Sequence, residues 1–319
     1  MKRNKVLWLK YRAKSVYRKL YSKVAKHKIV TYKYAGKNVL PESDANTYLY
    51  NEILKNTNGL MVSRYGCNEL AATIDYLRNN GQCIKNSIQS QMVSCAGFFP
   101  NDNQALLRFA EIMLESSREI DVLGIMFSPM EDYMINAHAN QATLIRRRSL
   151  EPWKNEPKDG EKPWTYALKG KRVLVIHPFD LSIKKQYQRR TELFENPDIL
   201  PEFELITFRA VQTIAGQKDE RFHDWFEALE YMYDEAMKTD FDVALLGCGA
   251  YGLPLAAKLK KSGKIAIHIG GALQLLFGIK GKRWNTDPIV SKLYNEAWTS
   301  PMPSETPKAN QVVENGCYW

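Results

Sequence analysis

The sequence predicts an α/β fold, with a mainly parallel sheet, helices on both faces and Rossmann-like βαβ units. Apolar runs alternate with amphipathic segments along most of the chain, which is typical of this fold class. The clearest example starts with the apolar run Val243–Leu246, which leads into a glycine turn, an amphipathic segment over 253–261 and a second apolar run over 264–269. Two strands joined through a helix in this way form a βαβ unit with a parallel pair.

The other elements follow from the same kind of spacing. Residues 41–56 offer Ser43 or Asp44 as a helix cap, and residues 103–117 place Leu106 and Met113 on one helical face. The apolar run at 171–177 predicts a buried strand. The predicted helices are 41–56, 69–78, 103–117, 221–238, 253–261 and one with Gln186 and Tyr187; the predicted strands are 59–64, 121–127, 171–177, 203–208, 243–246 and 264–269.

Three parts are predicted along the chain. Residues 1–34 form a basic amphipathic arm, residues 35–300 the α/β domain, and residues 301–319, which contain three prolines, a loosely held tail. Inside the domain, the Pro-rich and charged segment 152–164 indicates a connection between two halves, 35–150 and 171–300.

The positive charge of the protein is concentrated at its start. Residues 1–41 hold 13 Lys or Arg and no acidic residue, whereas the remainder has 32 basic and 35 acidic residues. Residues 6–29 also space apolar and aromatic groups as a helix does, which is typical of a helix on an anionic membrane surface. A helix packed on its own body is the alternative. No nucleic-acid partner is expected, because no nucleic-acid module accompanies the charge.

Several classes of protein are disfavoured by composition. No apolar run reaches the roughly 20 residues of a membrane span. The five cysteines form no CxxC pair and the five histidines are scattered, which indicates reduced thiols in a cytoplasm and neither a disulfide framework nor a zinc site.

A ligand cleft is predicted where the strands end. Gly247, Gly249 and Gly252 follow one strand with Tyr251 among them, and His268, Gly270 and Gly271 close the next. Glycine lets a backbone approach a ligand closely, and helix N-termini favour phosphate. The glycines spell G-x-G-x-x-G, yet His268 stands near the position where a dinucleotide site needs an acidic residue. An NAD site and glycines used only for packing both remain open.

Three further clusters carry candidate chemistry. Arg64, Gly66 and Glu69 lie where a short strand gives way to a helix, so the arginine is placed to meet a phosphate. His177 ends a strand and suits proton transfer or phosphate contact. The third cluster is basic and aromatic, with groups that suit a diphosphate and a ring: Lys282, Arg283 and Trp284.

One motif is predicted to have no such role. Asp240 and Asp242 match the D-x-D pattern of metal-binding sugar-nucleotide enzymes, but they precede their strand. Ligands gather at the opposite, carboxyl end of parallel strands.

On these residues, the chain resembles the bacterial glycosyltransferases of the GT-D type, a family once catalogued as a domain of unknown function. The family pattern R-F-G-D-G-E corresponds to R-Y-G-C-N-E at residues 64–69, and a late strand–glycine–helix–strand unit corresponds to residues 243–271. The resemblance covers residues 45–280 in order of elements. Its HPF and FGIKGKRW stretches are also similar to those of uncharacterised proteins of surface-polysaccharide loci.

The resemblance implies transfer of a sugar from a nucleoside-diphosphate sugar to a surface-polysaccharide or lipid-linked glycan acceptor. Glu69 and His177 are then the catalytic candidates, and Arg64, Lys282 and Arg283 would stabilise the leaving diphosphate. The residues expected to hold the nucleotide sugar are Arg64, Gly66, Gly247, Gly249, Tyr251, Gly252, His268, Gly270, Gly271, Lys282, Arg283 and Trp284.

The family also holds a divalent metal, Mg²⁺ or Mn²⁺, through a D-x-E motif. Cys67 replaces the aspartate here, which leaves Glu69 as the one carboxylate of the motif. A single carboxylate is a poor site for either ion. The expected location is cytoplasmic and peripheral at the inner face of the membrane. An NAD-dependent oxidoreductase and a non-catalytic scaffold of polysaccharide assembly are the alternatives.

Overall fold

The computed structural model describes residues 5–24, 32–154, 160–313 and 315–319. The strands are β1 (Lys33–Tyr34), β2 (Lys37–Asn38), β3 (Leu60–Ser63), β4 (Val122–Ile125), β5 (Thr143–Arg146), β6 (Arg172–His177), β7 (Glu204–Arg209), β8 (Val243–Leu246) and β9 (Ile265–His268). The α-helices are α1 (Lys5–Val24), α2 (Glu42–Lys55), α3 (Cys67–Arg78), α4 (Asn86–Ala96), α5 (Asn103–Ser117), α6 (Glu131–His138), α7 (Asp180–Tyr187), α8 (Trp225–Met237), α9 (Gly252–Lys261), α10 (Leu273–Leu276) and α11 (Val290–Leu293).

A seven-stranded, fully parallel sheet organises the molecule, in the order β5-β4-β3-β9-β8-β6-β7. The predicted α/β class is therefore confirmed. β8 and β9 are adjacent and parallel, with Val243 opposite Ile265 and Leu246 opposite His268, as the βαβ pattern predicts. Strands from both predicted halves join in this one sheet, because β9 pairs with β3 on one side and β8 on the other.

Both faces of the sheet are covered by helices, as alternation along the strands requires. Met61 and Ala244 face one core, which α3, α4, α5, α8 and α9 cover. Val62 and Val243 face the other core, which α2, α7, α10 and α11 cover. All seven strands consequently end at one edge, where their loops meet.

Most elements predicted from periodicity are confirmed, α5 with its predicted bounds. Elements that were not predicted include α4, β5 and α10, which contribute to the cleft directly or through the residue that follows them, and α6. β5 has only two apolar residues, Leu144 and Ile145, before an arginine-rich turn, so its apolar run is too short to indicate a strand.

Helix α1 confirms a helical arm, while residues 1–4 and 25–31 lie outside the described residues. Trp8 is buried against Met130 and Tyr133. Its ring lies 5.1 Å from that of Tyr133, edge to face, and Asn136 Nδ2 donates to the Tyr11 hydroxyl at 2.8 Å. Within the described ranges, no helix is long and apolar enough to cross a membrane.

The prediction of a loosely held tail is wrong for the described part of residues 301–319. The Glu305 carboxylate is buried and accepts the backbone N–H of Leu181 at 2.8 Å. Val313 and Cys317 are also buried. The segment therefore packs on the domain through Glu305, Val313 and Cys317.

Candidate functional site

A cleft of about 600 Å³ lies at the carboxyl edge of the sheet. Residues that follow all seven strands of the sheet line it, which is where ligands bind in open parallel sheets. The strand-end residues that contribute are Arg64 after β3, Met126 after β4, Arg147 after β5, His177 on β6, Val211 after β7, Gly247 after β8 and Ile269 after β9.

Arg64 connects the turn at Gly66 with the turn at Gly270 in the cleft. Its Nη1 donates to the carbonyl oxygen of Tyr65 at 3.1 Å and its Nε to that of Ile269 at 3.4 Å. A Cβ at Gly270, whose φ is +78°, would lie 1.8 Å from Arg64 Nη2, so this guanidinium position requires glycine there. Arg64 makes no ion pair with any described residue. Its charge is therefore held by neutral carbonyls at the cleft and remains available to an anion.

Gly247 and His177 form the adjoining wall. A Cβ on Gly247 would lie 2.4 Å from His177 Cδ2 and 3.1 Å from the carbonyl oxygen of Gly270. His177 Nδ1 accepts the backbone N–H of Phe179 at 3.0 Å. Burial lowers the pKa of His177 to about 3. The ring is thus neutral at physiological pH with its proton on Nε2, which makes it a hydrogen-bond donor.

Glu69 occupies the first turn of α3, where the helix dipole favours a carboxylate. Its carboxylate folds over Gly66, since a Cβ there would lie 1.9 Å from Glu69 Oε2. Both residues line the cleft with Cys67 and Asn68. The turn that resembles the family motif is therefore one wall of the site.

The cleft brings together most of the residues predicted to form it. Those that line it are Arg64, Gly66, Glu69, His177, Gly247, Gly249, Tyr251, Gly271, Arg283 and Trp284.

The remaining predicted residues lie behind or beside the cleft. The His268 ring packs against Gly252 beneath the start of α9, and its Nδ1 lies 3.0 Å from Ser63 Oγ. Burial, together with Arg64, lowers the pKa of His268 well below its ordinary value. Gly270 packs directly against the Arg64 guanidinium. Lys282 is exposed, and its Nζ donates to the carbonyl oxygen of Asn315 at 3.2 Å.

Sequence reasoning missed a charged network on the opposite wall. Lys154 Nζ lies 2.8 Å from Asp287 Oδ2 and 3.0 Å from Glu151 Oε2, and Glu151 also pairs with Arg147. Arg147, Lys154 and Asp287 all line the cleft. The signal was the run Arg146-Arg147-Arg148, which becomes informative once β5 is known to end there.

The C-terminal segment supplies the aromatic part of the cleft. Tyr318 and Trp319 line it beside Trp284 and Arg283. The Arg283 guanidinium lies 4.7 Å from the centre of the Tyr318 ring, and its Nη1 is 3.2 Å from the Tyr318 hydroxyl. Gln274 Nε2 donates to the Tyr318 carbonyl oxygen at 3.0 Å, which fixes the segment to α10.

The charge of the cleft suits an anion. Four basic side chains line it, Arg64, Arg147, Lys154 and Arg283, but Arg147 and Lys154 already pair with Glu151 and Asp287. No described carboxylate pairs with Arg64, so its charge is the one that an anion can meet. Among the described residues, no group of three His, Cys, Asp or Glu is arranged to hold a metal. The Asp287 carboxylate already pairs with Lys154 and accepts hydrogen bonds from the backbone N–H groups of Ile289 and Val290. The protein side chains by themselves do not fit a Mg²⁺ or Mn²⁺ site.

The D-x-D motif lies at the far edge of the sheet, as predicted. The Arg172 guanidinium pairs with Asp240 and, at 3.1 Å, with Asp242. Asp242 also accepts the backbone N–H of Arg172 at 2.7 Å. The motif therefore ties β6 to β8 at their amino ends.

Two solved structures of a domain of unknown function, number 1792, are similar to this chain, and one is described as having a distinct glycosyltransferase fold. Each is 14% identical in sequence and covers 85% of this chain and 93% of its own, with TM-scores of 0.42 and 0.41. No family model and no curated protein gives a significant match.

Proposed function

We propose that the protein is a glycosyltransferase that moves a sugar from a nucleoside-diphosphate sugar to a surface-polysaccharide or lipid-linked glycan. The observation that carries the proposal is the cation-rich cleft, which holds Glu69 at one wall and lies where the strands of a parallel sheet end. Its volume of about 600 Å³ is that of an ordinary small-ligand pocket.

The diphosphate is assigned to the turns at Arg64 and Gly247. The Arg64 guanidinium carries a charge that no described carboxylate neutralises, and the glycine permits close approach of the backbone. Arg283 adds positive charge around the same space, whereas Arg147 and Lys154 are balanced by Glu151 and Asp287. When the sugar leaves, negative charge grows on the diphosphate, and Arg64 and Arg283 stabilise it.

The aromatic wall is assigned to the base or the sugar ring. Trp284, Tyr318 and Trp319 offer ring surfaces beside Arg283, and aromatic side chains stack on planar or sugar rings.

The reaction in this cleft is a displacement at the anomeric carbon. The acceptor hydroxyl oxygen forms the new bond to that carbon, and the bond between the carbon and the diphosphate oxygen breaks with its electron pair staying on the diphosphate. Glu69, the cleft carboxylate that no lysine or arginine of the described residues neutralises, accepts the hydroxyl proton. His177, neutral with its proton on Nε2, donates a hydrogen bond to a phosphate oxygen.

A divalent metal, which the family resemblance implies, would have Glu69 as its carboxylate and substrate phosphates as its other ligands. Because the protein side chains do not fit such a site, no step above depends on it.

A ligand-binding measurement tests the proposal. Thermal unfolding is followed with a panel of nucleoside-diphosphate sugars, free nucleoside diphosphates and NAD, each with Mg²⁺ and with EDTA. A ligand at about 100 times its Kd stabilises the folded state by about 2.7 kcal/mol, so binding is detected even if turnover is slow.

The expected result is a rise in Tm with one nucleotide sugar and its nucleoside diphosphate, followed by sugar transfer to a lipid-linked acceptor with that donor. A rise with NAD alone would favour the oxidoreductase. Binding of no nucleotide at all would favour the scaffold and contradict the proposal.

A further inference from the structure

We propose that α1 lies on an anionic membrane surface, with Leu9, Ala13, Val16 and Tyr17 turned toward the lipid. This proposal concerns attachment and does not depend on the reaction in the cleft. It rests on the two different faces that α1 presents.

The inner face of α1 is docked on the domain. Trp8 is 3% exposed and packs on Met130 and Tyr133. Tyr11, one turn further on, lies 5.7 Å from the Tyr133 ring and accepts a hydrogen bond from Asn136. The described first half of the helix is therefore anchored, which fixes the direction of its other face.

The outer face of α1 is apolar and exposed. Leu9, Val16 and Tyr17 are 62%, 53% and 66% exposed, and they are three of the eight exposed large apolar side chains of the described residues. Leu9, Ala13 and Val16 are spaced by four and three residues, so they form one stripe along the helix, with Tyr17 at its margin. Such a concentration on twenty residues of a 319-residue chain indicates a contact surface.

Cations flank this stripe on both sides. At 100° per residue, Arg12 lies on one flank and Lys10 and Lys14 on the other, and all three are exposed. No acidic residue occurs in residues 1–41 to neutralise them. An apolar stripe with cations on both flanks suits a lipid surface, because the stripe can contact acyl chains while the cations contact anionic headgroups.

Other occupants fit this face less well. Nucleic acid would leave the apolar stripe in water, and a second copy of the arm would bring two sets of like charges together. A lipid surface satisfies both the apolar and the charged part. The loop that receives Trp8 through Met130 also contains Met126 of the cleft wall, so attachment by α1 holds the cleft beside the membrane, where a lipid-linked acceptor would be found.

Vesicle flotation with the full chain tests the proposal, using phosphatidylcholine vesicles with and without phosphatidylglycerol at low and high salt. The test variant is Leu9→Ser/Val16→Ser/Tyr17→Ser. The matched control is Leu54→Ser/Leu181→Ser/Val312→Ser, which removes three exposed apolar side chains of the domain. Thermal unfolding confirms that both variants are folded.

We expect the wild type and the control to float with phosphatidylglycerol vesicles and to be released by high salt. The α1 variant should bind the vesicles at least roughly tenfold more weakly than the wild type. The charge-reversed variant Lys10→Glu/Arg12→Glu/Lys14→Glu should not bind them. The rise in Tm that a nucleotide sugar causes should be the same in these α1 variants as in the wild type, which separates this proposal from the one on the cleft.

Three results would overturn it: equal binding of the α1 variant and the wild type, equal binding to neutral and anionic vesicles, or no binding. Tight binding of a DNA duplex that displaces the vesicles would reassign the arm to nucleic acid.

Discussion

The arginines at the two edges of the sheet have different kinds of partner. At the amino edge, Arg172 is paired with Asp240 and Asp242, and Lys260 Nζ lies 2.7 Å from Asp121 Oδ1. At the carboxyl edge, Arg64 is held by two backbone carbonyls and no described carboxylate pairs with it. One edge carries the amino ends and the other the carboxyl ends of the same seven strands, and the difference in charge lies in the side chains that precede or follow them.

Arg172 therefore contributes to the fold, whereas Arg64 keeps a charge that can bind a ligand. An exposed ion pair such as Arg172 with Asp242 contributes little to stability, because solvent screens it. A guanidinium held by carbonyls keeps its full charge and its remaining N–H donors. Substitutions made at one edge at a time test whether the two edges differ in this way.

The largest effect is expected at the one carboxylate assigned to proton transfer. Glu69→Gln should lower sugar transfer by about 10²–10⁴-fold, because the amide cannot accept the acceptor proton, while the nucleotide-sugar Kd changes little. Steady-state transfer rates and a binding titration measure the two quantities.

Glu115→Gln, an exposed carboxylate on α5, is the matched control and should transfer at the wild-type rate. Full activity of Glu69→Gln would show that the carboxyl edge does not use this residue as a base.

A smaller effect is expected from the contrasting arginines. Arg64→Lys should weaken nucleoside-diphosphate binding by about 10–100-fold, because an ammonium cannot hold both carbonyls and a phosphate in the guanidinium geometry. Calorimetric titration with the nucleoside diphosphate gives the affinity.

At the amino edge, Arg172→Lys makes the same chemical change and should leave that affinity unaltered, with little loss of stability because the ion pair is exposed. If both substitutions weaken binding equally, the distinction between the edges fails.

The smallest effect is a pH dependence of stability that comes from the carboxyl edge. His177 has a folded-state pKa of about 3 against an ordinary 6.5, because its burial disfavours the charged ring. The unfolded chain therefore binds more protons between those values. The stability that His177 contributes is present above about pH 6.5 and is lost as the pH falls toward 3, by at most about 1.4 kcal/mol per pH unit.

Urea unfolding of His177→Gln from neutral to acidic pH should show a shallower decline than the wild type. His223→Gln, at an exposed histidine, should follow the wild-type curve. Parallel curves for wild type and His177→Gln would mean that the His177 ring is not buried as a neutral group.

Sequence reasoning succeeded where a property depends on neighbours in the chain. The strands β8 and β9, the helix between them and α5 follow from apolar spacing, which is local. The rule that parallel strands end together then predicted that Arg64, Glu69, His177 and Gly247 would share one cleft, as they do.

It failed where a short segment is defined by distant partners. β5 exists because it pairs with β4, and that pairing brings Arg147 and Lys154 to the cleft. The C-terminal wall depends on hydrogen bonds such as the one from Gln274 to Tyr318. Neither pattern is visible in a window of adjacent residues.

Apolar periodicity and strand direction are local properties, so the α/β class, the βαβ unit, the basic arm and the ligand-binding edge follow from the amino-acid sequence. Which residues face that ligand depends on how the strands are arranged in the folded chain. β9 lies between β3 and β8, so that Arg64 meets Gly270 and His268 is covered by Gly252. The physical reason is that side-chain contacts in a parallel sheet depend on strand order, which crossover connections set over hundreds of residues.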